Sequence, residues 1–260
     1  MKGIVLAGGT GSRLWPLTVS ISKQLLPVYD KPLIYYPLAT LMQAGIQDIL
    51  IITTSHDQTD FIKLLGDGNA FGINLSYAIQ SEPRGLAEAF LIGKTFIEDE
   101  DVALILGDNL FAGIDFTEAM EKFKNQKGAH IFAYEVSNPS AYGVLEISDD
   151  GRPISILEKP QNPNSNWAVT GLYLLDKSAH QFASEILPSA RGELEITDVL
   201  MRYLIQNKLY VNFLSRGTAW LDTGTPDSLH DAASYVRIIH ERTGISIGNL
   251  VEVANQNSWL

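Results

Sequence analysis

Over its first half the chain alternates short aliphatic and β-branched runs with amphipathic stretches. Residues 3–6, 48–53 (DILIIT), 75–79, 102–106 (VALIL) and 131–136 read as strands. DILIIT and VALIL have continuous apolar interiors, as strands buried on both faces of a parallel sheet do. Residues 32–44, 57–65, 85–97 and 116–125 read as helices. In the first of these Leu33, Tyr36, Leu41 and Ala44 fall near one face and Gly45 ends the run. This alternation predicts an α/β fold built on a doubly wound, mostly parallel, Rossmann-like sheet with right-handed crossovers.

The rhythm changes after Ser137. Residues 144–147, 154–157 and 168–175 make a strand-rich region punctuated by Gly and Pro turns. Helices return at 179–187 and 195–206, a strand follows at 209–214, and a long helix occupies 226–242. Residues 245–260 show no clear period. No linker, low-complexity tract or internal repeat stands out. The expectation is one domain over residues 1–243, with halves of about 1–137 and 138–243, the second an inserted β-rich region, and a short tail over 244–260.

Composition narrows the function classes. With 45% hydrophobic and 19% charged residues, the 260-residue chain is ordinary globular material. It has no cysteine, which excludes disulfides, thiolate zinc sites, iron–sulfur clusters and cysteine nucleophiles. Nineteen Lys and Arg against 30 Asp and Glu give a net charge of −11, which argues against a general nucleic-acid binder. The apolar stretch Ile4–Ala7 is too short for a signal-peptide core, and no run approaches the ~20 apolar residues of a membrane span. A cytoplasmic protein is therefore expected. Asn74-Leu75-Ser76 matches a glycosylation sequon and, without a secretion signal, reads as coincidence.

The most informative segment follows the first strand: Leu6-Ala7-Gly8-Gly9-Thr10-Gly11-Ser12-Arg13-Leu14. Glycines there allow unusual backbone angles and let successive N–H groups approach a ligand. Such a nest of amides over Gly8, Gly9, Thr10 and Gly11 suits phosphate, and Arg13 adds a planar cationic fork. A dinucleotide fingerprint fails because Leu14 stands where the third glycine belongs, and a Walker A loop fails for want of Gly-Lys-Ser/Thr. Asp108 lies at the C-terminal end of VALIL, where doubly wound sheets place ligands.

Leu6–Thr18 (LAGGTGSRLWPLT) with Ser22–Val28 (SKQLLPV) is similar to the head motif of the sugar-nucleotide pyrophosphorylases, a nucleotidyltransferase family. The run Lys23–Leu38 resembles the glucose-1-phosphate thymidylyltransferase branch of that family. The likeness continues through Leu106–Asn109 (LGDN), Glu158–Pro160 (EKP), Val169–Tyr173 (VTGLY), Arg191–Asp198 (RGELEITD) and Trp220–Thr225 (WLDTGT), over roughly residues 1–243. It implies the nucleotide-diphospho-sugar transferase fold, with the nucleotide in the first half and the sugar in the second. The implied reaction joins dTTP to glucose 1-phosphate and releases pyrophosphate, with the sugar phosphate attacking the α-phosphorus in line. Positioning and electrostatics carry such a step, since the nucleophile is already an anion.

The resemblance also implies roles. Asp108 and Asp222 would hold Mg²⁺, which needs only one or two protein carboxylates. Arg13 would grip the β- and γ-phosphates, Lys23 would neutralise phosphate charge, and Lys159 would contact the sugar phosphate and the α-phosphate. Arg191 would be a further sugar-phosphate ligand. Leu6, Gly8, Gln24, Gln80 and Gly85 fall on nucleobase positions; a glutamine amide matches the imide edge of thymine or uracil. Asn109, Gly143, Glu158 and Val169 fall on sugar positions. A homo-oligomer, dimer or tetramer, is implied, with neither nucleic acid nor membrane as partner.

Two features depart from the family. Arg84 stands where an acidic residue is usual, beside the base positions. The chain also ends at Leu260, short of the C-terminal helices of longer members, which puts product feedback and the tetramer in question. The alternatives are UTP or another hexose 1-phosphate, since a methyl group discriminates by only ~1–3 kcal/mol, and a non-catalytic sugar-nucleotide sensor. Ser20-Ile21-Ser22-Lys23 also fits S-x-x-K, but the companion S-D-N and K-T-G elements of a serine–lysine hydrolase are missing.

Overall fold

A computed structural model describes residues 1–260. Along the chain come β1 (Lys2–Ala7), β2 (Pro27–Val28), β3 (Lys31–Pro32), α1 (Tyr35–Gln43), β4 (Asp48–Thr53), α2 (Gln58–Leu65) and β5 (Asn74–Ile79). Next are α3 (Glu88–Ile92), α4 (Lys94–Ile97), β6 (Val102–Leu106), β7 (Asn109–Ala112), α5 (Phe116–Asn125), β8 (Ala129–Glu135), β9 (Gly143–Ile147), β10 (Pro153–Glu158) and β11 (Trp167–Leu175). The chain closes with α6 (Ala179–Glu185), α7 (Ile196–Ile205), β12 (Leu209–Phe213), β13 (Ala219–Asp222), α8 (Pro226–Thr243) and α9 (Leu250–Gln256). Packing groups these elements into two units of discontinuous segments: residues 2–83, 105–114 and 218–260 in one, and residues 1, 84–104 and 115–217 in the other.

The first unit is built on parallel strands. β1 pairs with β4 from Gly3↔Ile49 to Ala7↔Thr53, and β4 pairs with β5. Ile4, Val5, Ile49, Ile51 and Ile52 are fully buried, which is what the apolar runs require. Gly3 lets α1 close on this sheet: a Cβ there would press on Leu41, Ile46 and Ile49 at 3.0–3.2 Å. An antiparallel ladder of β7 and β13 sets Asp222 opposite Asn109. α8 begins at a capping box of Thr225 and Ser228 with Pro226 in its first turn, and it buries Ala232 and Val236 against Leu33, Tyr36 and Leu110. α9 is capped by Asn249, whose side chain accepts from the Glu252 N–H at 3.2 Å, and it buries Leu250, Val253 and Ala254.

The second unit is mainly antiparallel. β10 pairs β9, β9 pairs β11, and β11 pairs β8, with β12 added parallel to β8. β11 is buried from Ala168 to Leu175, and its register with β8 shifts between Val169 and Tyr173. Phe182 of α6 packs edge-on to Tyr203 of α7, and the Tyr203 hydroxyl donates to Asp176 at 2.9 Å.

The mixed α/β fold and its parallel strands are as the sequence predicts. The helix expected over 85–97 forms only from Glu88, because Gly85 takes a left-handed backbone (φ +101°) with the Leu194 backbone against it, and it is interrupted at Gly93. The tail contains α9, although no period signals it. β7 and β13 were not predicted. Residues 84–104 and 115–137 pack with the β-rich region. No helix is long and apolar enough to cross a membrane.

Candidate active site

In the first unit the glycine-rich loop leaves β1 and passes directly over polar side chains. A Cβ at Gly8 would lie 2.5 Å from the Gln80 Oε1, and one at Gly9 3.7 Å from the Lys23 ammonium. Gly8 is thus a gap through which backbone and side chain meet, while a Cβ at Gly9 would make only ordinary contact with Lys23. Gly11 is left-handed (φ +63°) and starts the turn that carries Arg13; the Thr18 hydroxyl donates to its carbonyl at 2.9 Å. Gln24 is buried, its Oε1 taken by the Ser22 hydroxyl at 2.6 Å, so its amide NH₂ has no protein acceptor. Gly107 admits this side chain: a Cβ there would sit 3.1 Å from the Gln24 Cγ.

Asp108 sits on the turn from β6 to β7, and Asp222 ends β13. The Thr223 N–H and hydroxyl both donate to the Asp108 carbonyl, at 3.1 and 2.8 Å, and fasten the two turns together. The Asp108 carboxylate pairs with the Lys23 ammonium. Burial pushes Asp108 up, but the Lys23 charge and the hydrogen bonds from Lys23 and Asn109 together outweigh it and hold the carboxyl below the ordinary range. Asp222 goes the other way. Burial, then the charge of Asp108, raise its pKa, and Lys23 and Arg13 offset only part of this. The Arg13 guanidinium reaches this pair over Gly224, where a Cβ would be 2.6 Å from Nη2 and 3.2 Å from the Asp222 Oδ1. Asn109, expected among the sugar ligands, is buried; its Oδ1 accepts from the Trp220 indole at 2.7 Å and its Nδ2 donates to Asp108 at 3.1 Å. Its amide therefore braces the aspartate.

No cluster of three or more His, Asp or Glu side chains able to hold a metal forms. Two buried carboxylates, one of them with an elevated pKa, fit a hard, hydrated dication that completes its shell with water and substrate oxygens, as Mg²⁺ does.

In the second unit adjacent strands set three predicted residues in one row: Glu158 opposite Gly143, and Gly143 opposite Val169. A Cβ at Gly143 would lie 3.3 Å from the Thr197 methyl and 3.5 Å from the Glu158 Oε2, so the glycine backbone passes close beside that carboxylate. Burial raises the Glu158 pKa, with Glu195 and Glu193 adding to the rise and Lys159 and Arg191 opposing it. Lys159 follows in a left-handed conformation (φ +43°), its ammonium 3.7 Å from Glu158. The Arg191 Nη2 is 3.5 Å from the same carboxylate. Gly85 belongs to this unit, Gln80 to the other.

A family model described as nucleotidyl transferase matches residues 2–237. The chain belongs to the nucleotidyl transferase family. A glucose-1-phosphate thymidylyltransferase of Neisseria meningitidis is 55% identical over 261 residues, covering 100% of this chain and 91% of that protein. One from Mycolicibacterium smegmatis is 56% identical, covering 98% of this chain and 88% of its own. Among solved structures, a Bacillus anthracis chain assigned as a glucose-1-phosphate thymidylyltransferase, crystallised with sucrose, superposes with a TM-score of 0.86 at 42% identity over 91% of this chain and 95% of its own. A UDP-glucose pyrophosphorylase bound to UDP-glucose gives 0.81 at 26% identity, over 91% and 98%.

For this nucleotidyl transferase, sequence reasoning missed the residues that brace the predicted ones. Ser22 orients Gln24, Trp220 orients Asn109, Thr223 clamps Asp108, and Gly224 makes room for Arg13. Three of the four lie in WLDTGT, so the length of that motif was the available signal. Ser189 and Glu195, which hold Arg191, were also missed.

Proposed function

We propose that the protein makes dTDP-glucose and pyrophosphate from dTTP and glucose 1-phosphate. The observation that carries this reading is full-length similarity, 55% identity, to a glucose-1-phosphate thymidylyltransferase. The chemistry of the residues present agrees with it. The glucose 1-phosphate oxygen forms a bond to the α-phosphorus of dTTP, the bond from that phosphorus to the bridging oxygen breaks, and pyrophosphate leaves. No general base is needed, so the work is alignment and charge neutralisation.

The residues identified above divide that work in this reading. The loop amides from Gly8 to Gly11 and Arg13 hold the β- and γ-phosphates, and Arg13 takes up charge on the leaving group. Lys23 turns from Asp108 toward phosphate oxygen. The free NH₂ of Gln24 donates to a carbonyl of the base, with Gln80, Leu6, Gly8 and Gly85 completing base recognition. Asp108 and Asp222 would hold a magnesium ion, which when bound neutralises phosphate oxygens. Glu158 accepts hydrogen bonds from glucose hydroxyls beside Gly143 and Val169, while Lys159 and Arg191 hold its phosphate. The same reading places the enzyme in the cytoplasm as a dimer or tetramer; its support there is family resemblance alone.

The test is product analysis. Incubated with dTTP, glucose 1-phosphate and Mg²⁺, the protein should form dTDP-glucose and pyrophosphate one to one, and EDTA should stop both. Hydrolysis of either substrate alone, or no dTDP-glucose, would reject the reading.

A further inference from the structure

The guanidinium of Arg191 is held on one side only. Its Nε donates to the Glu195 Oε1 at 3.1 Å, and its Nη2 reaches both Glu195 oxygens at 2.9 and 2.8 Å. The Nη2 also lies 3.2 Å from Glu193 and 3.5 Å from Glu158. The Nη1 has no acceptor in the protein. Glu195 is itself fixed: its side chain is 8% exposed, and its Oε1 accepts from the Ser189 hydroxyl at 2.6 Å. Ser189 closes the turn that carries Arg191, its N–H donating to the Glu193 carbonyl at 2.8 Å.

Glu195 occupies the N-cap position of α7, where Ser, Thr, Asp or Asn would serve, and its side chain makes no capping bond. Starting the helix therefore does not account for the carboxylate. Nor does attraction of an anion. Three carboxylates, Glu158, Glu193 and Glu195, surround two cations, Lys159 and Arg191. A phosphate approaching them meets no net positive field, so its binding depends on N–H groups already aimed at it.

We propose that Glu195, locked by Ser189, is a positioning residue that grips the Nε and Nη2 edge of Arg191 and so presents Nη1 to the phosphate of the sugar substrate. This rests on the reading of Arg191 as a sugar-phosphate ligand. Glu195 touches no substrate in this account and acts only through Arg191.

The experiment is a two-residue cycle, Glu195→Gln, Arg191→Ala and the double variant, with KM and kcat measured separately for glucose 1-phosphate and dTTP. Glu195→Gln should raise KM for glucose 1-phosphate about tenfold, the low end for loss of a partner that orients a ligand-holding side chain, and leave KM for dTTP within about twofold. In the Arg191→Ala background it should add nothing. Ser189→Ala, a milder change, should move the same KM in the same direction. A carboxylate that merely repels the substrate would give the opposite sign, because Gln removes a negative charge, and a fall in KM overturns the proposal. So do additive effects in the cycle, or equal changes for both substrates, which mark a general loss of structure. If Arg191→Ala leaves KM for glucose 1-phosphate unchanged, this proposal falls while the function, which wild-type product formation tests, stands. If the wild-type protein does not use glucose 1-phosphate at all, both fall.

Discussion

Asp108 and Asp222 are both buried carboxylates, yet their surroundings act in opposite senses. Asp108 has the Lys23 ammonium as partner; Asp222 has Asp108 as a neighbour of like charge. Asp108→Asn strands Lys23, whose side chain is only 12% exposed, and should cost about 3 kcal/mol, as breaking a buried pair does. Asp222→Asn should not. The folded-state pKa of Asp222 lies above its unfolded value, so its contribution to stability is full below the unfolded pKa and is lost as pH rises through the folded one. The advantage of Asp222→Asn in Tm over the wild type should therefore grow as pH rises above the unfolded carboxylate range, about pH 4. Both variants should lose turnover by about 10²-fold or more. Calorimetry without divalent cations, beside an assay, checks the contrast; equal losses of Tm would contradict it. Gly224→Ala makes a steric case. Its backbone angle suits alanine, but the new Cβ would displace the Arg13 guanidinium, and a shift of about 1 Å should cost ~10²-fold in kcat with Tm nearly unchanged. An unaffected kcat would mean that Arg13 need not sit there.

Among the elements, legibility followed length and period. DILIIT and VALIL were evident because four or five buried residues in a row leave few alternatives to a parallel-sheet strand. β7 and β13 have four residues each, too few to display alternation, and only their pairing gives them meaning. α9 has seven residues, with Leu250, Val253 and Ala254 on one face, a stripe too short to separate from chance in a polar tail. The candidate site divided along the same line. Charged and glycine positions were legible from motifs, because phosphate chemistry restricts the residue types. The polar braces were not: a serine, threonine or tryptophan declares its role only once its acceptor is in place. α8 offers an element-scale prediction. Thr225→Ala removes the side chain that accepts the Ser228 N–H at 3.2 Å, and should lower stability by about 1 kcal/mol. Chemical denaturation would register this as a lower midpoint at constant slope, and an unchanged midpoint would show that Pro226 alone starts the helix.

At the scale of the whole molecule, a chain of net charge −11 has to bind two anionic substrates. Long-range attraction cannot do this, and in the proposed reading a few local cations do: Arg13 and Lys23, Lys159 and Arg191. In the structure Lys23, Lys159 and Arg191 each pair with a carboxylate, so phosphate binding there exchanges one anion for another. The nucleotidyl transferase fold supplies the frame, and in the proposed reading the choice of base falls to a few amide groups such as Gln24. The measurement that goes most directly to the central claim is pyrophosphate release with glucose 1-phosphate and Mg²⁺, run with dTTP and with UTP in parallel and repeated with EDTA. The account predicts metal-dependent release that requires both substrates and is faster with dTTP. Release that favours UTP would contradict the thymidylyl assignment, and no release with either nucleotide would contradict the transferase itself.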